Sequence, residues 1–168
     1  MSFKKAYLFI TEYILLFALA SCIGWLYEMV CVWLLYGYYF DRGVLHLPMC
    51  PIYGFGGLLL MFVLRTVKNP FGIFLGSFLI ASGVELTASY ILEYGFHRIL
   101  WSYEGWPLSF QDRISLVSSL IFGVMATVFI KLVKPQIDKL FKSKHAAAAA
   151  VIVSMLFVAG VSWELMHR

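Results

Sequence analysis

Apolar residues occupy five long blocks of this chain, and short polar segments separate the blocks. A helix of about 20 apolar residues crosses the hydrocarbon layer of a bilayer, and each block approaches or exceeds that length. The first block is too long for an upright span, so we expect its helix to tilt or to extend beyond the lipid. The pattern therefore predicts five membrane-spanning helices near residues 7–35, 51–67, 71–94, 114–132 and 146–163.

The composition points the same way. Of the 168 residues, 62% are apolar and 13% are charged, and the mean hydropathy is +0.86. Soluble domains contain about 25% charged residues, so this chain has too few to cover a surface in water. This excludes a soluble enzyme, a disordered chain and a nucleic-acid-binding protein. We expect an all-α polytopic transmembrane helix bundle, a single domain over residues 1–168, with no cofactor.

The basic residues predict the orientation of the helices. If the N-terminus is cytoplasmic, nine of the 13 lysines and arginines lie on the inner side of the membrane and four on the outer side. Cytoplasmic connections are enriched in lysine and arginine, so this orientation, with the C-terminus outside, is the expected one. Residues 131–145, with five lysines and Pro135, are then a basic surface connection that we expect to lie on anionic lipid, the alternative being a docking site for a partner.

Carboxylates inside the spans are the most informative polar groups, because a charge in hydrocarbon is costly and usually has a function. Four of them fall in the outer halves of the predicted spans: Glu28, Glu85, Glu93 and Glu164. Glu85 and Glu93 share one face of the third helix, which predicts a polar cavity open to the outside. The alternative is that each glutamate is protonated and joins neighbouring helices. Glu12 lies near the inner surface, and its expected partner is Lys4 or Lys5.

Two arginines of the outer connections supply the opposite charge. A guanidinium binds a carboxylate or a phosphate through two parallel hydrogen bonds. We predict that Arg42 and Arg113 each lie within salt-bridge reach of Glu28 or Glu93, around one pocket. The candidate substrate-binding residues are therefore Glu28, Arg42, Glu85, Glu93 and Arg113. No catalytic residue and no metal site is predicted.

The segment from Pro48 to Gly57 contains two prolines and three glycines. Such a composition favours a broken or distorted start of the second helix, tolerated where it is buried in protein or lines a wet cavity.

The two halves of the chain resemble each other faintly. Glu28, Arg42 and Gly54 follow one another in the first two spans, and Glu93, Arg113 and Gly123 do so in the next two. This order predicts a two-fold repeat of spans 1–2 and 3–4, an arrangement found in transporters.

Several of these residues belong to motifs that resemble a known family. The motifs are Ile23-Gly24-Trp25-Leu26-Tyr27-Glu28, Arg42-Gly43, Cys50-Pro51-Ile52-Tyr53-Gly54-Phe55-Gly56 and, in the second half, Ile91-Leu92-Glu93-Tyr94 and Arg113-Ile114. Across residues 20–125 the chain resembles the ABC-transporter type IV membrane proteins of bacteria. It departs from their pattern at Asp41, where the family has Asn, and at Ser102, where the family often has an acid. The resemblance implies a multi-pass protein of the bacterial inner membrane and a permease role, without an established substrate.

Three functions stay open at this point. The first is a membrane transport component that binds a solute or ion in an outward-facing polar cavity. Because the chain has no G-x-x-x-x-G-K-[ST] phosphate loop, ATP-driven transport would need a separate nucleotide-binding subunit. The second is a membrane-embedded enzyme acting on a lipid or cell-envelope precursor at the outer leaflet, with Glu28 or Glu93 as base and Arg42 or Arg113 holding a phosphate. The third is a non-catalytic scaffold or accessory subunit in which the charges fix helix register. The expected partners are the lipid bilayer, a small solute, ion or lipid ligand, and a nucleotide-binding subunit or a second copy of the chain.

Overall fold

A computed structural model describes residues 3–39 and 47–166 of the protein, and it describes their side chains except at residues 3–5, 35–36, 144–146 and 164–165. Its helices are α1 (Phe3–Tyr36), α2 (Pro51–Val63), α3 (Pro70–Tyr90), α4 (Leu116–Val128), α5 (Lys134–Leu140) and α6 (Lys144–Met166). Two π-helical turns, Ile91–Gly95 and Phe129–Val133, follow α3 and α4 directly. The predicted all-α class is confirmed.

Three helical stretches of the described chain are long and apolar enough to cross a membrane. They are Ala6–Leu34, Pro70–Gly95 and Leu116–Leu140. Two shorter apolar helices, Pro51–Val63 and Ala147–Trp163, occupy the positions of the second and fifth predicted spans. The second helix is four residues shorter than predicted, because the chain closes a turn in which the Val67 amide donates to the Leu64 carbonyl. The orientation in the membrane, the two-fold repeat and the single domain stay predictions.

The basic segment 131–145 is helical over most of its length, which the sequence analysis did not predict, and its place at the membrane surface stays a prediction. The helix passes from α4 through the turn Phe129–Val133 into α5. Pro135 lies in the first turn of α5 and cannot donate a hydrogen bond to the helical turn before it. The wider π-helical turn before it gives the chain room to accommodate the proline ring.

The described residues of Met1–Leu59 and Val133–Arg168 form one compact unit. In it, α1 packs along α6: the Ser154 hydroxyl donates to the Thr11 carbonyl at 3.4 Å, and the Phe17 and Phe157 rings meet edge to face with centroids 6.3 Å apart. Both contacts advance in the same direction along the two helices, so α1 and α6 are parallel. A first and a fifth span would have this relation.

Residues Leu60–Leu132 form the second compact unit, in which α3 packs against α4. Its core is formed by Leu60, Leu64 and Ile73. Asn69 begins α3, since its side chain accepts a hydrogen bond from the Gly72 amide and Pro70 occupies the first turn.

Between α3 and α4 the chain forms a short antiparallel pair of strands, β1 (Ser109–Phe110) and β2 (Ile114–Ser115). Strands of two residues are too short to show an alternating pattern, so this pair could not be predicted from the sequence.

Candidate functional site

Glu28 of the first unit is held by Tyr53 of α2. The Tyr53 hydroxyl donates to Glu28 Oε1 at 3.0 Å. The Tyr53 ring reaches this position because it lies directly on Gly24, where an added Cβ would be 2.1 Å from the ring carbon Cγ. The glycine one turn before the glutamate is therefore what allows α1 and the start of α2 to approach closely enough for the hydrogen bond.

The chain before α2 is irregular but well packed. Met49 and Cys50 are buried, and the Cys50 amide donates to the Ser21 carbonyl of α1 at 3.0 Å. From Pro51 onward α2 is a regular α-helix, so the predicted distortion is confined to the residues before it. Proline is well suited to the first position of a helix, and Gly54 packs on Ser21 and Phe17 instead of bending the chain.

Arg113 of the second unit is held by α3 and the π-helical turn that follows it. It forms an ion pair with Glu93, and its Nη1 donates to Ser89 Oγ at 3.4 Å. Its guanidinium carbon lies 4.2 Å from the centre of the Tyr90 ring, which is cation–π distance. The hydrogen bond to Glu93 raises the pKa of Arg113. The prediction that Arg113 lies within salt-bridge reach of Glu93 is confirmed.

The loop around Arg113 is held by hydrogen bonds to its own backbone carbonyls. The indole Nε1 of Trp101 donates to the Arg113 carbonyl at 3.1 Å, and the Tyr103 amide donates to the Asp112 carbonyl at 2.8 Å. Gln111 and Asp112 have φ angles of 53° and 56°, a left-handed conformation that is uncommon for residues other than glycine. Backbone of this kind persists only where the surrounding contacts enforce it, so the loop presents Arg113 in a defined position.

Glu85 lies deeper on the same helix and has a partner from the same loop. The Tyr103 hydroxyl donates to Glu85 Oε1 at 2.7 Å. This resembles the contact between Tyr53 and Glu28 in the first unit, since a loop or helix-start tyrosine holds a span glutamate in each case.

An open cleft of about 260 Å³ lies beside the ion pair, at the end of α3. Its charged lining consists of Glu93, Arg98, Asp112 and Arg113. Arg98 and Asp112 were not among the predicted site residues. Sequence could have indicated Arg98, because it is one of four basic residues on the predicted outer side.

The predicted site residues are therefore brought together only in part. Glu93 and Arg113 share the lining of the cleft, Glu85 is joined to the same loop through Tyr103, and Glu28 has its own partner in the first unit. Arg42 lies outside the described residues. The single pocket around all five residues stays a prediction.

A second charged cluster lies in the first unit, between α1 and α5. Lys134 Nζ is 3.7 Å from Glu12 Oε1 and 2.7 Å from Asp138 Oδ1. Lys134 is thus a partner of Glu12 that could not be predicted from the sequence, because the two residues are 122 positions apart and no local pattern joins them. The side chains of the predicted partners, Lys4 and Lys5, are not among those that the structure describes, so that pairing stays a prediction.

The chain matches the model of a known protein family. A family model described as "Putative ABC-transporter type IV" matches residues 15–166. The match extends beyond the resemblance over residues 20–125 and includes α5 and all of α6. No curated protein and no solved structure matches the chain.

Proposed function

Since the chain belongs to the ABC-transporter type IV family, we propose that this membrane protein is a transport component whose solute binds in the cleft beside Glu93 and Arg113. The observation that carries the proposal is the arrangement of Arg113. Three neighbours hold its guanidinium, namely Glu93, Ser89 and the Tyr90 ring, and yet it lines an open cleft. A charge fixed before the ligand arrives binds with less loss of side-chain freedom.

The lining favours a small polar solute that carries charge. Two arginines and two carboxylates give the cleft both signs of charge, so a dipolar ligand can place its anionic group on a guanidinium and its cationic group on a carboxylate. A guanidinium has five donors, so Arg113 can keep Glu93 and bind a ligand as well. In the predicted topology the cleft opens to the outer side of the membrane. The proposal places the chain in the bacterial inner membrane, and a separate subunit would supply ATP hydrolysis.

A second candidate function is that of an accessory subunit. The hydrogen bonds from Tyr53 to Glu28 and from Tyr103 to Glu85 support it, because both glutamates join neighbouring segments of the chain. In that function the polar groups fix how the helices pack, and no solute binds.

Equilibrium binding to the full chain in lipid nanodiscs separates the two functions. The probes are glycine, acetate, choline and inorganic phosphate, which together sample dipolar, anionic and cationic solutes. We expect at least one probe to bind, and Glu93→Gln to weaken that binding about tenfold or more through loss of the charge pair.

The matched control is Glu104→Gln, which neutralises an exposed carboxylate of the same loop outside the cleft lining. It should bind as the native chain does. The transport proposal is wrong if none of the four probes binds, or if the two variants bind equally. The accessory function predicts that Glu93→Gln lowers thermal stability while no probe binds to either protein.

A further inference from the structure

Arg98 differs from the other arginine of the cleft. It follows the turn Ile91–Gly95 by three residues, it is exposed, and it lines the same cleft as Arg113. Arg113 is neutralised by Glu93, whereas the Arg98 guanidinium has no ion-pair or hydrogen-bond partner among residues 3–39 and 47–166. An unpaired guanidinium beside a cleft is a binding group for a phosphate or carboxylate.

The depth of Arg98 can be worked out from the helix before it. The stretch Pro70–Gly95 has 26 residues, so at about 1.5 Å per residue it is about 39 Å long. The hydrocarbon layer is about 30 Å thick, and about 40–45 Å including the headgroups. A span centred in the bilayer therefore ends among the headgroups, and Arg98 follows at the level of the lipid phosphates.

The apolar side chains that line the same cleft include two that are largely exposed. Ile99 and Leu100, directly after Arg98, line the cleft and are 73% and 53% exposed, and Leu92 and Trp101 complete the apolar lining. A small polar solute beside Glu93 and Arg113 would occupy the charged part of the cleft and leave these apolar side chains free for a second ligand. A ligand with a charged head and an apolar tail covers both halves.

We propose that the cleft binds the phosphodiester of a membrane phospholipid, with Arg98 as its anion-binding residue and Ile99 and Leu100 against its glycerol and upper acyl region. A diester carries one negative charge. That charge suits Arg98 better than the larger charge of inorganic phosphate does, because Glu93 and Asp112 also line the cleft. The volume of about 260 Å³ is suited to a headgroup and not to a whole lipid. The lipid takes the cleft that the proposed function assigns to a small solute, so this inference goes beyond that function and adds a second, membrane-derived ligand of the same cleft.

The test is native mass spectrometry of the purified full chain, delipidated and then mixed with phosphatidylglycerol. Diacylglycerol with the same acyl chains is the matched lipid that lacks the phosphate. We expect the native chain to retain phosphatidylglycerol and not diacylglycerol, and Arg98→Gln to reduce the retained fraction about tenfold, the effect of losing one charge-assisted contact. The control Arg65→Gln removes an exposed arginine outside the cleft and should retain the lipid as the native chain does.

Three outcomes would overturn the inference. They are equal retention of diacylglycerol, equal loss in Arg98→Gln and Arg65→Gln, and Arg98-dependent binding of inorganic phosphate without retention of the phospholipid. Binding of the four soluble probes, measured on the same Arg98→Gln protein, tells the two proposals apart. If Glu93-dependent probe binding persists while no lipid is retained, the lipid inference fails and the transport proposal stands. If neither probe nor lipid binds to the native chain, both fail.

Discussion

Replacement of Gly24 by alanine tests the close approach of α1 and the start of α2. The new Cβ would lie 2.1–2.5 Å from three atoms of Tyr53, including its own Cβ, which is too near the backbone to move aside. Overpacking of this kind destabilises by about 1–3 kcal/mol. Displacing the ring also breaks the hydrogen bond from Tyr53 to Glu28, which is worth about 0.5–1.5 kcal/mol. Alanine favours a helix over glycine by about 0.5–1 kcal/mol, so the expected net loss is about 0.5–4 kcal/mol.

The assay is the free energy of unfolding in mixed detergent micelles, measured from denaturant titrations. The matched control is Gly56→Ala in α2, because no atom lies within 4 Å of the Cβ it would add. We expect Gly56→Ala to leave stability unchanged or to raise it by up to about 1 kcal/mol, through helix propensity alone.

A double-variant cycle tests the cause of the loss. In a Tyr53→Gly background both the ring and the Cβ of residue 53 are gone, so adding Gly24→Ala should be nearly neutral, with a coupling of at least about 1 kcal/mol. The reasoning is refuted if Gly24→Ala is as mild as Gly56→Ala. It is equally refuted if the effects of Gly24→Ala and Tyr53→Gly add without coupling.

Three further predictions concern the second unit and the topology. The hydroxyls of Ser82 and Ser119 are 2.7 Å apart between α3 and α4, so a double-variant cycle with alanine should give a coupling of about 0.6–2 kcal/mol, and zero coupling would contradict it. Asn69→Ala removes the cap of α3 and should lower the free energy of unfolding by about 1 kcal/mol, whereas Asn69→Asp, which keeps the acceptor, should lose far less. A cysteine placed at the C-terminus, in a background without Cys22, Cys31 and Cys50, should react with an impermeant thiol reagent in intact cells; protection would refute the outside C-terminus.

Composition and the apolar pattern were enough to predict a membrane protein made of helices. In hydrocarbon there is no water to bind the backbone polar groups, and a helix satisfies all of them within a single segment. The same physics made the glutamates of the spans visible as polar sites. The pairing of Glu93 with Arg113 could also be predicted. Glu93 lies near the end of one predicted span and Arg113 directly precedes the next, and each charge is less costly near hydrocarbon when it is paired.

Other features depended on contacts that a linear pattern does not contain. Pro135 and the lysines around it are typical of a connection, yet the helix continues through the π-helical turn Phe129–Val133 to Leu140. Lys134, in this continued helix, contacts Glu12 of α1. The glycines of α2 were typical of a broken helix, but the structure uses Gly54 for packing on α1. The cleft at Arg98 was equally out of reach, because it is formed by a loop whose left-handed residues Gln111 and Asp112 are held there by tertiary hydrogen bonds. Local composition sets which groups must leave water, whereas tertiary contacts decide which partner each of them finds.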